Sequence, residues 1–174
     1  MTAAFTLWLT GLPCSGKTTL AAALAADLRN RNTRVQVLDG DAIRPLFWPE
    51  LGFSREDRDA NVRRTAALAK LFTRQDIAVI VALVSPYAAT RRAVRADLAP
   101  FVEVFVDCPV TECARRDVKG LYAAQRAGRL TGLTGIDDPY ERPENPDVHL
   151  HTDRDDVPTC VTAIVTTLAN RKLL

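Results

Sequence analysis

The first part of the chain limits its folding more than any other. Phe5-Thr-Leu-Trp-Leu9 is an apolar run of strand type, and it stops at a glycine-bounded loop. Helix-forming sequence from Leu20 to Leu28 comes at once after it. Gly11-x4-Gly16-Lys17-Thr18 has the spacing of a phosphate-binding loop and sits in the strand–loop–helix setting that this spacing requires. A phosphate chain needs several backbone N–H groups converging on it, and the first turn of a helix supplies donors that have no intrahelical partner. Lys17 is expected to neutralise the β and γ oxygens and the Thr18 hydroxyl to ligate Mg²⁺. Gly11, Ser15, Gly16 and Thr19 complete the cradle, with contacts from Ser15 onward because Pro13 has no N–H. The stretch therefore reads as a nucleoside triphosphate site.

Strand-type runs at Phe5–Leu9, Arg34–Leu38, Ile77–Val84, Phe101–Val106 and Val148–His151 alternate with helical patterns. Leu20, Leu24 and Leu28 form one helical stripe and Val62, Ala66, Ala69 and Phe72 another. Ser54 with Asp57 resembles a capping box, and Pro158 suits the first turn of a closing helix through Leu168. This alternation predicts an α/β three-layer fold with a central parallel sheet, with Ile77–Val84 as a strand covered on both faces. All 174 residues read as one domain, with a mobile basic lid at about residues 117–146, where Gly, Pro, Asp and Arg concentrate.

A net charge of +2 gives no global field for nucleic acid or membrane, and no apolar run approaches membrane-spanning length. Only Met1 to Ala4 precede the first strand, and nothing there resembles a signal peptide. The four cysteines show no C-x-x-C spacing. Reduced thiols and a cytoplasmic location are expected, with Cys14 unreactive.

Asp39-Gly40-Asp41 comes after the second strand at its carboxyl end, the edge where open α/β sheets bind ligands. Asp41 could orient an attacking hydroxyl or hold Mg²⁺ through water; the alternative is a solvated turn. Ser85, at the end of the third strand, could touch the phosphate being transferred or simply cap the next helix. Arg58, Asn61 and Thr65 share one helix face, and Arg44 lies three residues beyond Asp41; these suit an anionic substrate or a solvated surface. Arg115, Arg116, Lys119, Arg126 and Arg129 lead into the irregular segment, as in basic lids that close over phosphates, with Arg115 placed among the nucleotide contacts. His149 and His151 point to one face of a strand but lack a nearby cysteine or third histidine, so no metal site is assigned to them.

Taken together the motifs resemble the adenylylsulfate kinases (APS kinases), P-loop enzymes that use ATP to phosphorylate the 3′-hydroxyl of adenosine 5′-phosphosulfate. The matching stretches include Trp8-Leu-Thr-Gly-Leu, Gly16-Lys-Thr-Thr, Leu38-Asp-Gly-Asp, Leu51-Gly-Phe-Ser, Asn61-Val-Arg-Arg, Lys119-Gly-Leu-Tyr, Thr134-Gly-Ile-Asp-Asp-Pro-Tyr-Glu and Pro143-Glu-Asn-Pro, in family order. The resemblance implies Asp41 as the aspartate beside the acceptor hydroxyl, with Arg44, Arg58 and Asn61 holding phosphosulfate and ribose. It implies Phe53 as the aromatic stacked on the substrate adenine, Ser85 as a catalytic serine and Lys119 as part of the lid. Phe53 could instead plug a loop. Departures from the family pattern are Ala42 for the usual Asn, Val118 for Pro, Ala123-Ala124 for a lysine pair, and Leu133 for the Phe that forms the second adenine wall. The resemblance admits a homodimer. A kinase of the same fold acting on another small-molecule hydroxyl is the main rival reading. A nucleotide-dependent regulatory protein is a more distant one, since no Asn-Lys-x-Asp motif occurs.

Overall fold

The computed structural model describes residues 4–174; the stretch ahead of the first strand falls partly outside that range. Five strands form one sheet in the order β2-β3-β1-β4-β5, and every neighbouring pair is parallel. They are β1 (Thr6–Thr10), β2 (Val35–Asp39), β3 (Ala78–Ala82), β4 (Phe101–Asp107) and β5 (Val148–His151). Parallel strands need crossover connections, and these put helices on the faces of the sheet. The helices are α1 (Lys17–Asn30), α2 (Gly40–Phe47), α3 (Arg55–Thr73), α4 (Ala88–Asp97), α5 (Val110–Arg116), α6 (Leu121–Arg126) and α7 (Val157–Asn170).

The apolar stripes divide between two layers. Leu20, Leu24 and Leu28 of α1 and Ile164 and Leu168 of α7 pack on Leu7, Leu9, Ile80, Val104 and Val106. On the opposite face Val62, Ala66 and Ala69 of α3 and Val94 of α4 pack against Trp8, Val79 and Val81. β1 and β3 are buried on both faces, so their near-continuous apolar sequence is the signature expected of interior parallel strands. Ser54 caps α3 by accepting the Asp57 N–H at 3.1 Å, but the Asp57 carboxylate turns to the Gly52 N–H instead of closing the reciprocal box. Asp156 caps α7, with Pro158 in its first turn.

Two parts differ from the sequence expectation. α2 starts immediately after β2, because Asp39 becomes its N-cap and accepts the Asp41 N–H at 2.9 Å. Within the segment read as irregular, α6 forms a short helix whose start is held by Asp117, which accepts from the Tyr122 and Ala123 N–H groups. Its brevity hides it from periodicity.

A buried ion pair ties the third layer to the sheet. Arg91 on α4 is 3% exposed; it meets Glu103 of β4 at 3.0 Å and donates to the carbonyls of Ser85 and Glu141. Breaking a buried pair from one side strands the other charge. Arg91→Ala is expected to lower the unfolding free energy by about 3–5 kcal/mol, read by urea denaturation; a loss under about 1 kcal/mol would show that Arg95 alone compensates Glu103.

Candidate active site

β1 and β3, at the middle of the sheet, aim their carboxyl ends at a cleft of about 510 Å³, a size typical of small-molecule sites. The loop after β1 enters it. Gly11 approaches β4 so closely that a Cβ would lie 2.4 Å from the Val106 carbonyl oxygen, so no side chain fits. Gly16 has φ 104° at the N-cap of α1, a left-handed conformation that glycine adopts without strain. Lys17 is buried and donates to the carbonyls of Gly11 at 2.9 Å and Leu12 at 2.7 Å. Burial, reinforced by the Lys119 charge, pulls its pKa down to about 8. A cation held this way gains most from an anion that restores its lost solvation. The Thr18 hydroxyl donates to Asp39 Oδ2 at 2.7 Å, joining the loop to the end of β2. Hydroxyl and carboxylate together make an all-oxygen set that fits Mg²⁺.

The acceptor side is built by α2 and α3. Asp41 is mostly exposed and ion-paired with Lys119 across the mouth of the cleft. Arg44 lies 4.5 Å from the Phe53 ring centre and donates to the carbonyls of Leu51 and Gly52. Phe53 is 64% exposed on the cleft wall, so it does not plug a loop. Arg58 uses its fork on the opposite wall, donating to Gly132 O at 2.6 Å, Thr134 Oγ1 at 2.5 Å and Asp138 Oδ2 at 2.9 Å, while its Nε donates to Phe53 O. Asn61 Oδ1 accepts the Trp48 indole N–H at 2.7 Å, which fixes the amide on the cleft wall. Thr65 turns inward and donates to Asn61 O.

Lys17, Thr18, Thr19, Asp41, Arg44, Phe53, Arg58, Asn61, Ser85, Lys119 and Leu133 all line this cleft, and Gly11 and Ser15 shape the loop behind it. Leu133 also packs into a cluster with Tyr122, Cys108 and Cys113. Ser85 belongs to the wall: it is 2% exposed, its Oγ accepts the Trp8 indole N–H at 2.9 Å, and Oγ lies 3.3 Å from the Leu83 carbonyl. It does not cap α4, whose N-cap position is Tyr87.

Arg115 stands apart from the cleft. Its side chain is 74% exposed and bonds Glu112, which the Arg115 guanidinium, helped by Arg116, holds at a pKa of about 2. The neighbouring Arg116 takes the place expected of it: it lines the cleft, lies about 4 Å from a Cβ built on Gly16 and donates to Thr152 O. Nothing in the residue order separates the two, since adjacent helical residues are told apart only once the helix axis is placed. Asp39 meets Thr18 at the strand edge where the sequence puts it, whereas Trp48, behind Asn61, and Thr152, bonded to Ser15 O, are supports of the site that only the fold exposes.

A phosphate cradle at a central strand end, an acidic pair after the next strand and a basic flap define a P-loop phosphotransferase. A sequence model of the family described as adenylylsulphate kinase matches residues 3–151. The chain belongs to that family. It is 48% identical to a probable adenylyl-sulfate kinase of Synechocystis sp., over 97% of this chain and 96% of that one. It is equally identical to one from Pseudomonas aeruginosa, over 92% of this chain and 75% of the other. The solved structure of the Mycobacterium tuberculosis APS kinase in complex with AMPPNP and APS superposes with a TM-score of 0.92 at 41% identity, covering 97% of this chain and 99% of that one. No helix among the described residues is long and apolar enough to cross a membrane.

Lys17 carries a pH signature. Its cation is lost as the pH rises through about 8, and a bound polyanion raises that value again, so binding takes up protons. Inorganic triphosphate, titrated by calorimetry in buffers of different ionisation enthalpy, is expected to bind more weakly as the pH climbs past about 8. Affinity that stays flat from neutral pH to well above this value would contradict the assigned desolvation.

Proposed function

We propose that this protein transfers the γ-phosphoryl group of ATP to the 3′-hydroxyl of adenosine 5′-phosphosulfate, giving 3′-phosphoadenylylsulfate and ADP. The observation that carries the reading is the meeting of Lys17, Asp41, Arg44, Phe53, Arg58 and Asn61 in one cleft, from elements far apart in sequence. Kinship to a protein solved with APS and AMPPNP supports the same two ligands.

Lys17 and the loop amides hold the β and γ phosphates at the N-terminus of α1. Thr18, with Asp39 beside it, would hold Mg²⁺, which supplies charge neutralisation when bound. Asp41 orients the acceptor hydroxyl for in-line attack and accepts its proton, after an incoming acceptor separates it from Lys119. Lys119, released, is then a free cation at the cleft mouth, where charge develops on the transferring group. Phe53 offers an exposed ring face to the acceptor adenine, with Leu133 as an aliphatic second wall. Arg44 and Asn61 bind phosphosulfate and ribose. Arg58 contributes mainly by fixing the wall opposite Phe53, since four of its bonds already go to protein atoms. Ser85, buried and with its Oγ accepting the Trp8 indole N–H, is assigned to the cleft wall in place of a phosphate-carrying role.

The test is ADP production in a coupled assay with and without adenosine 5′-phosphosulfate. Strong stimulation by this acceptor is expected; release that the acceptor leaves unchanged refutes the reading. Asp41→Asn is expected to lower kcat by about 100-fold or more while ATP binding persists. Phe53→Ala is expected to raise KM for the acceptor about tenfold, the loss of one stacking face, with KM for ATP nearly unchanged; a matching rise in both would move Phe53 out of the acceptor site.

A further inference from the structure

The parallel register brings Asp107 against a histidine pair that lies 42 or more residues further along the chain. Phe105 pairs with His149 and Asp107 with His151 across β4 and β5. Val104, Val106, Val148 and Leu150 face the α1–α7 layer, so the alternate residues Phe105, Asp107, His149 and His151 share the other face. Asp107 Oδ2 lies 3.0 Å from His149 Nε2 and 3.8 Å from His151 Nδ1, and the three donor atoms all fall within 4.8 Å of one another. Donors bound to one ion at metal–ligand distances of about 2.0–2.2 Å sit roughly 3–3.5 Å apart, so small rotations suffice to gather these three. The scaffold is stiff: His149 stacks on Phe105 at 4.9 Å between ring centres, and Thr152 N–H donates to Asp107 O at 3.0 Å. The His149 and His151 side chains are 42% and 38% exposed, which leaves an open side for an arriving ion and for a water ligand.

We propose that Asp107, His149 and His151 form a binding site for a divalent transition metal of the zinc type, separate from the phosphoryl-transfer cleft. Two imidazoles and one carboxylate select late first-row ions; Mg²⁺ and Ca²⁺ prefer oxygen sets such as Thr18 with Asp39. A rival cation is already present. The Arg142 guanidinium is ion-paired with the same Asp107 oxygen and packs 5.2 Å from the Phe105 ring centre, on a side chain 64% exposed and free to swing out. Metal and guanidinium therefore exclude one another at Oδ2, and this exclusion distinguishes the site from any other metal-binding group on the chain.

The nucleotide-free chain, kept reduced and stripped with a chelator, is titrated with Zn²⁺ and with Co²⁺ against a chromophoric chelator. One equivalent is expected. His149→Ala and His151→Ala are each expected to weaken binding at least about tenfold, and the double variant to abolish it. Both positions are partly exposed, so the variants keep their circular dichroism spectrum and melting temperature. Arg142→Gln is expected to bind several-fold more tightly, a gain that a site elsewhere would not show. Equal binding by wild type and the double variant overturns the proposal, as does binding that disappears in Cys14→Ser.

Discussion

A lysine withdrawn from water organises this molecule. Lys17 can sit at the centre of the fold only because the loop around it closes on itself through the Gly11 and Leu12 carbonyls, and that loop in turn needs β1 held between β3 and β4. The close approach of Gly11 to Val106 makes sheet pairing and loop shape a single requirement. This requirement places the neighbouring elements. β2 delivers Asp39 to Thr18, the end of β4 holds Thr152 by its N–H so that Thr152 can bond Ser15 O and receive Arg116, and α1 begins with Lys17, Thr18 and Thr19 lining the cleft.

Around that cation the site's charges are already engaged with protein partners. Asp41 meets Lys119, Arg44 meets the Leu51 and Gly52 carbonyls, and Arg58 meets Asp138. Ligand binding therefore exchanges partners instead of creating charge from nothing, which keeps desolvation costs low on a cleft wall that is largely apolar. The two arginines beside Phe53 act likewise: they hold a large exposed ring between cationic supports until another flat group arrives.

Much of this was legible in the residues themselves. The strand at Val148–His151 carries its own boundaries, and the loop from Gly11 to Thr18 declares its purpose because glycine placement and lysine spacing answer to one geometric demand. Strand ends elsewhere shift by a residue or two, since hydrogen bonding and not side-chain type decides where a ladder stops. What stayed hidden depends on separation in the chain. Arg115 and Arg116 look alike until α5 is laid against the sheet, and only the latter turns to the cleft. α6 is too short for a period, and its start rests on one aspartate side chain. Asp107 joins the histidine pair through strand register, which no local pattern encodes. Trp48 gives no hint that its indole will steady Asn61 from the end of α2.

The Arg58 bonds to Phe53, Gly132, Thr134 and Asp138 have a mechanical meaning. One guanidinium rivets two walls whose residues are 74 to 80 positions apart in the chain, so the floor of the enclosure has a fixed span. The cross-link at Arg58 is the more buried of the two ties across the enclosure, and the pair of residues 41 and 119 is the more exposed and the easier for solvent to part. A molecule entering there displaces a solvent-exposed tie at the tips and leaves the buried one at the root in place.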